Sequence, residues 1–220
     1  MKKNKMDIKA CLFDLDGVLV DTARFHYLAW KKLADKLGFE FTEHDNERLK
    51  GISRMDSLEI LLEIGNIKLS NEQKAFYAKE KNEVYLQYIE QMTPQDVLTG
   101  VRDFLEEIKN QKIKTGLGSA SKNAQLILNK TDITRYFDVI VDGNLVNRAK
   151  PDPEVFTLGA SMLDVPNEQC IVFEDAVAGI KAAQNAGMKS VGIGSADLLK
   201  NADLVFPGFE GLHLKDLNFQ

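Results

Sequence analysis

The sequence contains little cysteine and no long apolar run. Its two cysteines, Cys11 and Cys170, each lie within a short apolar segment, which is typical of free buried thiols in a reducing compartment. No apolar stretch reaches the roughly eighteen residues that a membrane-spanning helix needs. The basic segment 1–5 is followed by no small-residue cleavage site, which excludes a secretory signal. We therefore expect a cytoplasmic protein.

The sequence also contains fewer basic than acidic residues. The 220 residues include 28 Lys and Arg against 33 Asp and Glu, which gives a formal net charge of −5. An acidic chain argues against nucleic acid or an anionic membrane as a partner. A phosphate-bearing ligand would therefore need a local cluster of cations.

The pattern of apolar residues predicts an α/β core that is interrupted by a helical insertion. Residues 8–13 form a short apolar run of the kind that buried parallel strands show, and strand and helix patterns alternate after residue 93. Residues 22–92 show helical spacing and no convincing strand. This alternation predicts a parallel sheet covered on both faces. We assign residues 1–21 and 93–220 to a split core domain, and residues 22–92 to a helical cap domain.

Chemically reactive residues follow the predicted strands at their carboxyl ends, where open α/β sheets bind ligands. They are Asp14 and Asp16 after the first strand, Ser119 after the second, Lys150 in the loop before Pro151, and Glu174 and Asp175 after the fourth. Carboxylates gathered there would raise one another's pKa values unless a cation joined them, and Mg²⁺ prefers oxygen ligands. A carboxylate nucleophile and a second carboxylate acting as acid/base suit phosphoryl transfer.

Four motifs, in this order, resemble those of the haloacid dehalogenase superfamily. They are Asp14-Leu15-Asp16-Gly17-Val18, Ser119, Lys150 before Pro151, and Glu174-Asp175. A single D-x-D is a weak signal, but all four at strand ends are specific and cover nearly the whole chain. The resemblance implies an α/β fold with a Rossmann-like parallel-sheet core and an inserted α-helical cap.

The resemblance also implies roles for the acidic residues. Asp14 would be the nucleophile that becomes an aspartyl phosphate, and Asp16 would be the general acid/base. One Mg²⁺ per chain would be held by the side chains of Asp14 and Asp175 and by the backbone carbonyl of Asp16. Glu174 would support that metal site.

Ser119 and Lys150 complete the resemblance, whereas Ala176 departs from it. Ser119 and Lys150 would bind the transferring phosphoryl group. Ala176 follows Glu174-Asp175, where many relatives carry a hydroxyl residue, so one hydrogen bond beside the metal site is in question.

Within the superfamily, the cap and the loop after the second predicted strand resemble the β-phosphoglucomutase family. The matching substrate- or phosphate-binding positions are Thr22, His26 and Trp30 on one helix face, Lys50, Gly51 and Arg54 in a cap loop, Lys81-Asn82, and Ser119, Ala120, Ser121, Lys122 and Asn123. Simpler explanations exist for several of them. Trp30 and His26 would then be packing residues, Lys50 and Arg54 surface charges, and Lys81 part of a solvated, lysine-rich helix face.

A second anion site is what separates a mutase from a phosphatase. A mutase must hold a sugar bisphosphate in two orientations, with one phosphate at Asp14 and the other at a distal site. Arg54 from the cap, with residues 121–123 near a helix N-terminus, would form that distal site. A phosphatase that acts on a monophosphate needs no such site.

The leading hypothesis is therefore an isomerase of carbohydrate metabolism. It would interconvert β-D-glucose 1-phosphate and glucose 6-phosphate through the aspartyl-phosphate enzyme and β-glucose 1,6-bisphosphate, which would also prime the enzyme. Alternatives are a phosphatase of the same superfamily that acts on sugar phosphates or other small molecules, and a non-enzymatic phosphoaspartate switch. Asp16 argues against the switch, which needs no acid/base. We expect a monomer with small sugar phosphates as partners.

Overall fold

A six-stranded parallel sheet forms the centre of the protein. The structure is a computed structural model and describes residues 7–219, so the 1–5 extension lies outside the described residues. The strands are β1 (Ala10–Phe13), β2 (Lys114–Gly118), β3 (Val139–Val141), β4 (Cys170–Glu174), β5 (Lys189–Ile193) and β6 (Leu204–Phe206). Their order is β3-β2-β1-β4-β5-β6, which places β1 in the middle and confirms the predicted fold class.

Helices cover the sheet and form the insertion. They are α1 (Ala23–Leu37), α2 (Glu43–Asn46), α3 (Arg54–Ile64), α4 (Asn71–Ile89), α5 (Val101–Asn110), α6 (Ala124–Lys130), α7 (Glu154–Leu163) and α8 (Val177–Asn185). Within residues 7–219, every helix is too short or too polar to cross a membrane.

The central strand β1 is apolar throughout because both of its faces are covered. Cys11 and Phe13 pack into one buried cluster, whereas Ala10 and Leu12 pack into another on the opposite face. Phe13 is paired in register with Phe173 of β4, and their rings stack with centroids 4.6 Å apart. This register places the residues that follow the two strands side by side at the same sheet edge.

Helices α1, α3 and α4 belong to the stretch between β1 and β2. This stretch has a buried cluster of its own, to which Trp30, Leu33, Phe41 and Leu61 contribute. Helix α4 begins with a capping box, since Ser70 and Gln73 exchange side-chain to backbone hydrogen bonds. The division into core and cap domains at residues 22 and 92 stays a prediction.

Some elements differ from the sequence pattern. The sequence pattern does not predict the three-residue strand β6 or the four-residue helix α2. The pattern also predicts a helix from Ser121, whereas α6 begins at Ala124. Residues 121–123 therefore lie in the loop between β2 and α6.

Candidate active site

Three carboxylates converge where β1 and β4 end. One oxygen from each of Asp14, Glu174 and Asp175 lies within 4.8 Å of the others, and Asp14 and Glu174 are buried. Gly17 lies beside them with a φ of +84°, which residues with a side chain rarely adopt. A Cβ at Gly17 would also collide with the Asp175 carboxylate.

Lys150 bridges two of these acids. Its Nζ donates to Asp14 Oδ1 at 2.6 Å and to Glu174 Oε1 at 2.5 Å, and the lysine is 3% exposed. The other Glu174 oxygen accepts a hydrogen bond from the backbone N–H of Ala176 at 3.0 Å. Both oxygens of Glu174 are therefore engaged, and the contact from Ala176 comes from its backbone, with no hydroxyl at that position.

The acid cluster favours a cation. Burial raises the pKa of Asp14 to about 7. The positive charge of Lys150 opposes this rise, whereas repulsion from Glu174 adds to it. Burial and the same repulsion raise the pKa of Asp175 well above its usual range. Buried carboxylates of this kind are stabilised by a hard divalent ion, and an all-oxygen donor set fits Mg²⁺.

The carboxylate of Asp16 is turned away from this cluster. Its Oδ1 accepts hydrogen bonds from Thr22 Oγ1 at 2.5 Å and from Tyr85 Oη at 3.2 Å, and it lies 3.6 Å from His26 Nε2. Burial alone would raise the pKa of Asp16, but these three neighbours outweigh it and the pKa lies below its usual value. In this arrangement Asp16 is ionised and suited to accept a proton.

The side chain of Thr22 hydrogen-bonds to Asp16 and does not cap helix α1. It is fully buried at the N-cap of α1, where threonine side chains commonly bond a backbone N–H. Here the hydroxyl makes no capping bond and donates to Asp16. The start of the helical insertion is thus hydrogen-bonded to Asp16.

Lys81 lies in a buried pocket of aromatic rings. Its Nζ is 2.9 Å from His26 Nδ1, 4.5 Å from the ring centroid of Trp30 and 4.8 Å from that of Tyr85. The interpretation of Lys81 as part of a solvated helix face is therefore wrong, since the residue is only 3% exposed. Burial, with the charge of Arg54, lowers its pKa well below the usual value. Burial and the Lys81 charge likewise lower the pKa of His26.

A cavity of about 500 Å³ opens above the acid cluster. The predicted site residues that line it are Asp14, Asp16, His26, Trp30, Lys50, Gly51, Arg54, Lys81, Ala120, Ser121, Lys122, Asn123 and Asp175. Three others do not line the cavity but hydrogen-bond to lining residues: Thr22, Ser119 and Lys150. Glu174 does not line it either, but one of its oxygens lies within 4.8 Å of those of Asp14 and Asp175. The structure brings the predicted residues together, and their individual roles stay predictions.

The cavity wall also contains cations without acidic partners. Among residues 7–219, no carboxylate lies within 4.0 Å of the side-chain nitrogens of Arg54, Lys81 or Lys122. Lys50 differs, because its Nζ is 2.9 Å from Glu47 and 3.9 Å from Asp175. The cavity thus combines an acid cluster with two cations, Arg54 and Lys122, that are available to an anionic ligand.

Sequence reasoning missed Tyr85. It is 1% exposed, and its ring lies 4.1 Å from that of His26 while its hydroxyl reaches Asp16. Burial, followed by the Asp16 charge, raises the pKa of Tyr85 well above its usual range, so the hydroxyl stays protonated and donates. The available signal was its spacing of four from Lys81, which places both on one face of α4.

Comparison with known proteins identifies the class that this fold and site define. The chain belongs to the haloacid dehalogenase-like hydrolase family, whose family model matches residues 11–193. This confirms the membership that the four motifs predict.

Within that family the chain is similar to β-phosphoglucomutases. It is 45% identical to the β-phosphoglucomutase of Bacillus subtilis over 200 residues, which cover 90% of this chain and 88% of that protein. The crystal structure of β-phosphoglucomutase from Clostridium difficile superposes with a TM-score of 0.91 at 46% identity, covering 96% of this chain and 95% of that one. A phosphorylated carbohydrates phosphatase of Thermotoga maritima is 34% identical over 84% of each chain.

Proposed function

We propose that this protein is a phosphomutase that interconverts β-D-glucose 1-phosphate and glucose 6-phosphate. The observation that carries the proposal is the cavity itself, which joins the Asp14 cluster to Arg54 and Lys122, whose side-chain nitrogens have no carboxylate within 4.0 Å among residues 7–219. Such a cavity can hold two phosphates of one sugar at once, as a bisphosphate intermediate requires. The 45% identity to a β-phosphoglucomutase supports the same reaction.

Asp14 acts as the nucleophile. Lys150 engages its Oδ1, so Oδ2 is the oxygen left to attack phosphorus. The new O–P bond forms as the bond to the departing sugar oxygen breaks, and that oxygen takes from Asp16 the proton that Asp16 accepted from a sugar hydroxyl in the preceding transfer. The products are an aspartyl phosphate and a free sugar hydroxyl.

Asp16 acts on the sugar oxygen in both directions. Its Oδ1 is occupied by Thr22 and Tyr85, which leaves Oδ2 to face the substrate. When the aspartyl phosphate is transferred back, the ionised carboxylate accepts the proton of the attacking hydroxyl. Transfer to one hydroxyl of the sugar and then to another isomerises the monophosphate through β-glucose 1,6-bisphosphate, which also serves as the priming donor.

One Mg²⁺ belongs to this site. The side chains of Asp14 and Asp175 and the backbone carbonyl of Asp16 would hold it, with Glu174 supporting the site. When bound, it neutralises charge on the carboxylates and on the transferring phosphoryl group. Ser119 and Lys150 as ligands of that phosphoryl group, a monomeric state and a cytoplasmic location remain predictions.

Phosphorus NMR tests the proposal directly. The protein is incubated with Mg²⁺, β-glucose 1-phosphate and a trace of glucose 1,6-bisphosphate. We expect a growing glucose 6-phosphate signal without matching inorganic phosphate. Stoichiometric inorganic phosphate would instead make the protein a phosphatase, the activity named for the Thermotoga maritima relative.

The distal cation site has its own test. Arg54→Ala should lower the rate of mutase turnover by about 10- to 100-fold, the effect of losing one charged hydrogen bond to phosphate. Phosphorylation of Asp14 by acetyl phosphate, which carries a single phosphate, should change little. Arg48→Ala is the matched control, because this exposed cap arginine pairs with Glu63 at 3.2 Å and does not line the cavity. Equal loss of both reactions in Arg54→Ala would contradict the distal role.

A further inference from the structure

An amide–amide hydrogen bond joins the helical insertion to the loop before α6. Asn123 Nδ2 donates to Asn82 Oδ1 at 3.0 Å, across 41 positions of sequence. Both side chains line the cavity. We call these two residues the amide pair.

The Asn123 side chain does not cap α6, although Asn123 lies at the start of that helix. Asn123 is the N-cap of α6, and asparagine is among the residues that most favour capping with the side chain. It makes no capping bond here, and its amide reaches across to α4. Asn123 therefore lacks a local capping bond and instead makes a contact between two segments that are distant in sequence.

The amide pair ends a relay of hydrogen bonds that begins beside the acid cluster. The backbone N–H of Ser121 donates to Ser119 Oγ at 3.1 Å, and that of Asn123 donates to Ser121 Oγ at 3.2 Å. Ser119 is fully buried at the end of β2. The loop of residues 119–123 is therefore held in one shape, and Asn82 holds its outer end.

Helix α4 connects this loop to the acid/base residue. Asn82 follows Lys81, which contacts His26, and precedes by three positions Tyr85, whose hydroxyl donates to Asp16. A rigid helix that is fixed at the loop through Asn82 also fixes Tyr85 against Asp16. The phosphate-binding loop and the acid/base are thus connected through one helix.

We propose that Asn82 is a positioning residue for the distal phosphate, through which occupation of the loop sets α4 and hence Asp16. This inference rests on the proposed function, because it assumes that residues 121–123 bind the second phosphate of a sugar bisphosphate. Asn82 acts through Asn123 and α4 and does not touch the reacting atoms. Ligands with two phosphates depend on it, and ligands with one phosphate do not.

The test compares two phosphoryl donors in Asn82→Ala. The rate of Asp14 phosphorylation is measured with glucose 1,6-bisphosphate and with acetyl phosphate, which cannot reach the distal loop. We expect kcat/KM for the bisphosphate to fall by about 2- to 10-fold, the effect of one neutral hydrogen bond. The rate with acetyl phosphate should stay within about twofold of the wild-type value, a change below what one such bond is worth. Glu83→Ala is the matched control, since this exposed residue is the next one on α4.

A double-mutant cycle identifies the partner. Asn123→Ala combined with Asn82→Ala should cost little more than Asn123→Ala alone, because the two side chains act through one bond. Additive effects would overturn the proposal. It would also be overturned if Asn82→Ala behaved like Glu83→Ala, or if it slowed both donors equally, as a purely structural role would.

Failure of the proposed function would look different. If the wild-type protein transferred phosphate only to water, no glucose 6-phosphate would appear with any donor. The ratio of bisphosphate to acetyl phosphate rates would still show whether Asn82 senses a second phosphate.

Discussion

Lys150→Met removes the ammonium group that bridges Asp14 and Glu174. In the wild-type protein its Nζ lies 2.6 and 2.5 Å from their oxygens, and the lysine side chain is 1% exposed. Methionine keeps most of the apolar stem, so the change acts mainly on charge. We expect the folded state to be strongly destabilised in the absence of divalent cations.

The size of the effect follows from the burial of the two acids. Glu174 is fully buried and Asp14 is 4% exposed, so water cannot replace the lost cation. Breaking a buried ion pair from one side costs about 3–5 kcal/mol, because the remaining charge is left uncompensated. For a chain of this size, each kcal/mol lowers the melting temperature by about 2–4 °C. The midpoint should therefore fall by about 6–20 °C.

Urea and thermal unfolding with a chelator present measure this loss. Lys189→Met is the control, because the Lys189 ammonium makes a 2.6 Å pair with Asp203 but its side chain is 38% exposed. An exposed pair of that kind contributes about 1 kcal/mol or less. Adding Glu174→Gln to Lys150→Met should recover part of the stability, because one uncompensated charge disappears. The reasoning would be refuted if Lys150→Met lowered the free energy of unfolding by no more than Lys189→Met does.

The remaining predictions concern three further residues. Tyr85→Phe removes the hydroxyl that donates to Asp16, and we expect kcat of the mutase reaction to fall by about 2- to 10-fold with little change in KM. Chelation of divalent cations should lower the wild-type melting temperature, and Asp175→Asn should largely abolish that difference because it removes a carboxylate of the cluster. Burial alone would raise the pKa of Asp203, but the hydrogen bond from Lys189 holds it below the usual value. Asp203→Asn should therefore lower stability at pH 7 but not at pH 2.

Each of these expectations has a result that contradicts it. Steady-state kinetics showing an unchanged kcat in Tyr85→Phe would mean that the hydroxyl does not support the acid/base. A chelator effect of equal size in Asp175→Asn would place the metal elsewhere. For Asp203, the lowered pKa means that its contribution is present above the unfolded-state value near 4 and is lost as pH falls through the folded value. Urea titrations that show the same Asp203→Asn loss at both pH values would exclude this charge effect.

The site residues that lie at the ends of strands could be predicted from the sequence. Parallel strands place their carboxyl ends at one edge, so Asp14 after β1 and Glu174 at the end of β4 had to meet once the strands were assigned. Their apolar runs are short and bounded, which makes such strands recognisable. Cap helix α4 was also predictable, since its capping box is a local pattern around Ser70.

Contacts made by the cap were less accessible to sequence reasoning. Lys81 occurs in a lysine-rich segment, and nothing local distinguishes it from the exposed Lys79 two positions earlier. Its burial depends on Trp30 and Tyr85 packing around it, which is a property of how α1 and α4 meet. The diversion of the Asn123 amide away from α6 depends in the same way on a helix 41 residues distant in the chain.

These tertiary contacts converge on one carboxylate oxygen, which has a consequence for the reaction. Asp16 Oδ1 is contacted by Thr22 and His26 of the first turns of the insertion and by Tyr85 of α4. Each contact requires the helical insertion to lie close to the sheet. Under the proposed function, the position of the insertion therefore sets the orientation of the Asp16 carboxylate, and water that reaches the aspartyl phosphate while these contacts are broken meets a base that is not held in place. A sugar phosphate that fills the cavity and bridges Asp14 to Arg54 favours the same closed arrangement. Under the proposed function, selection of a sugar hydroxyl over water would follow from the contacts that hold Asp16 in place.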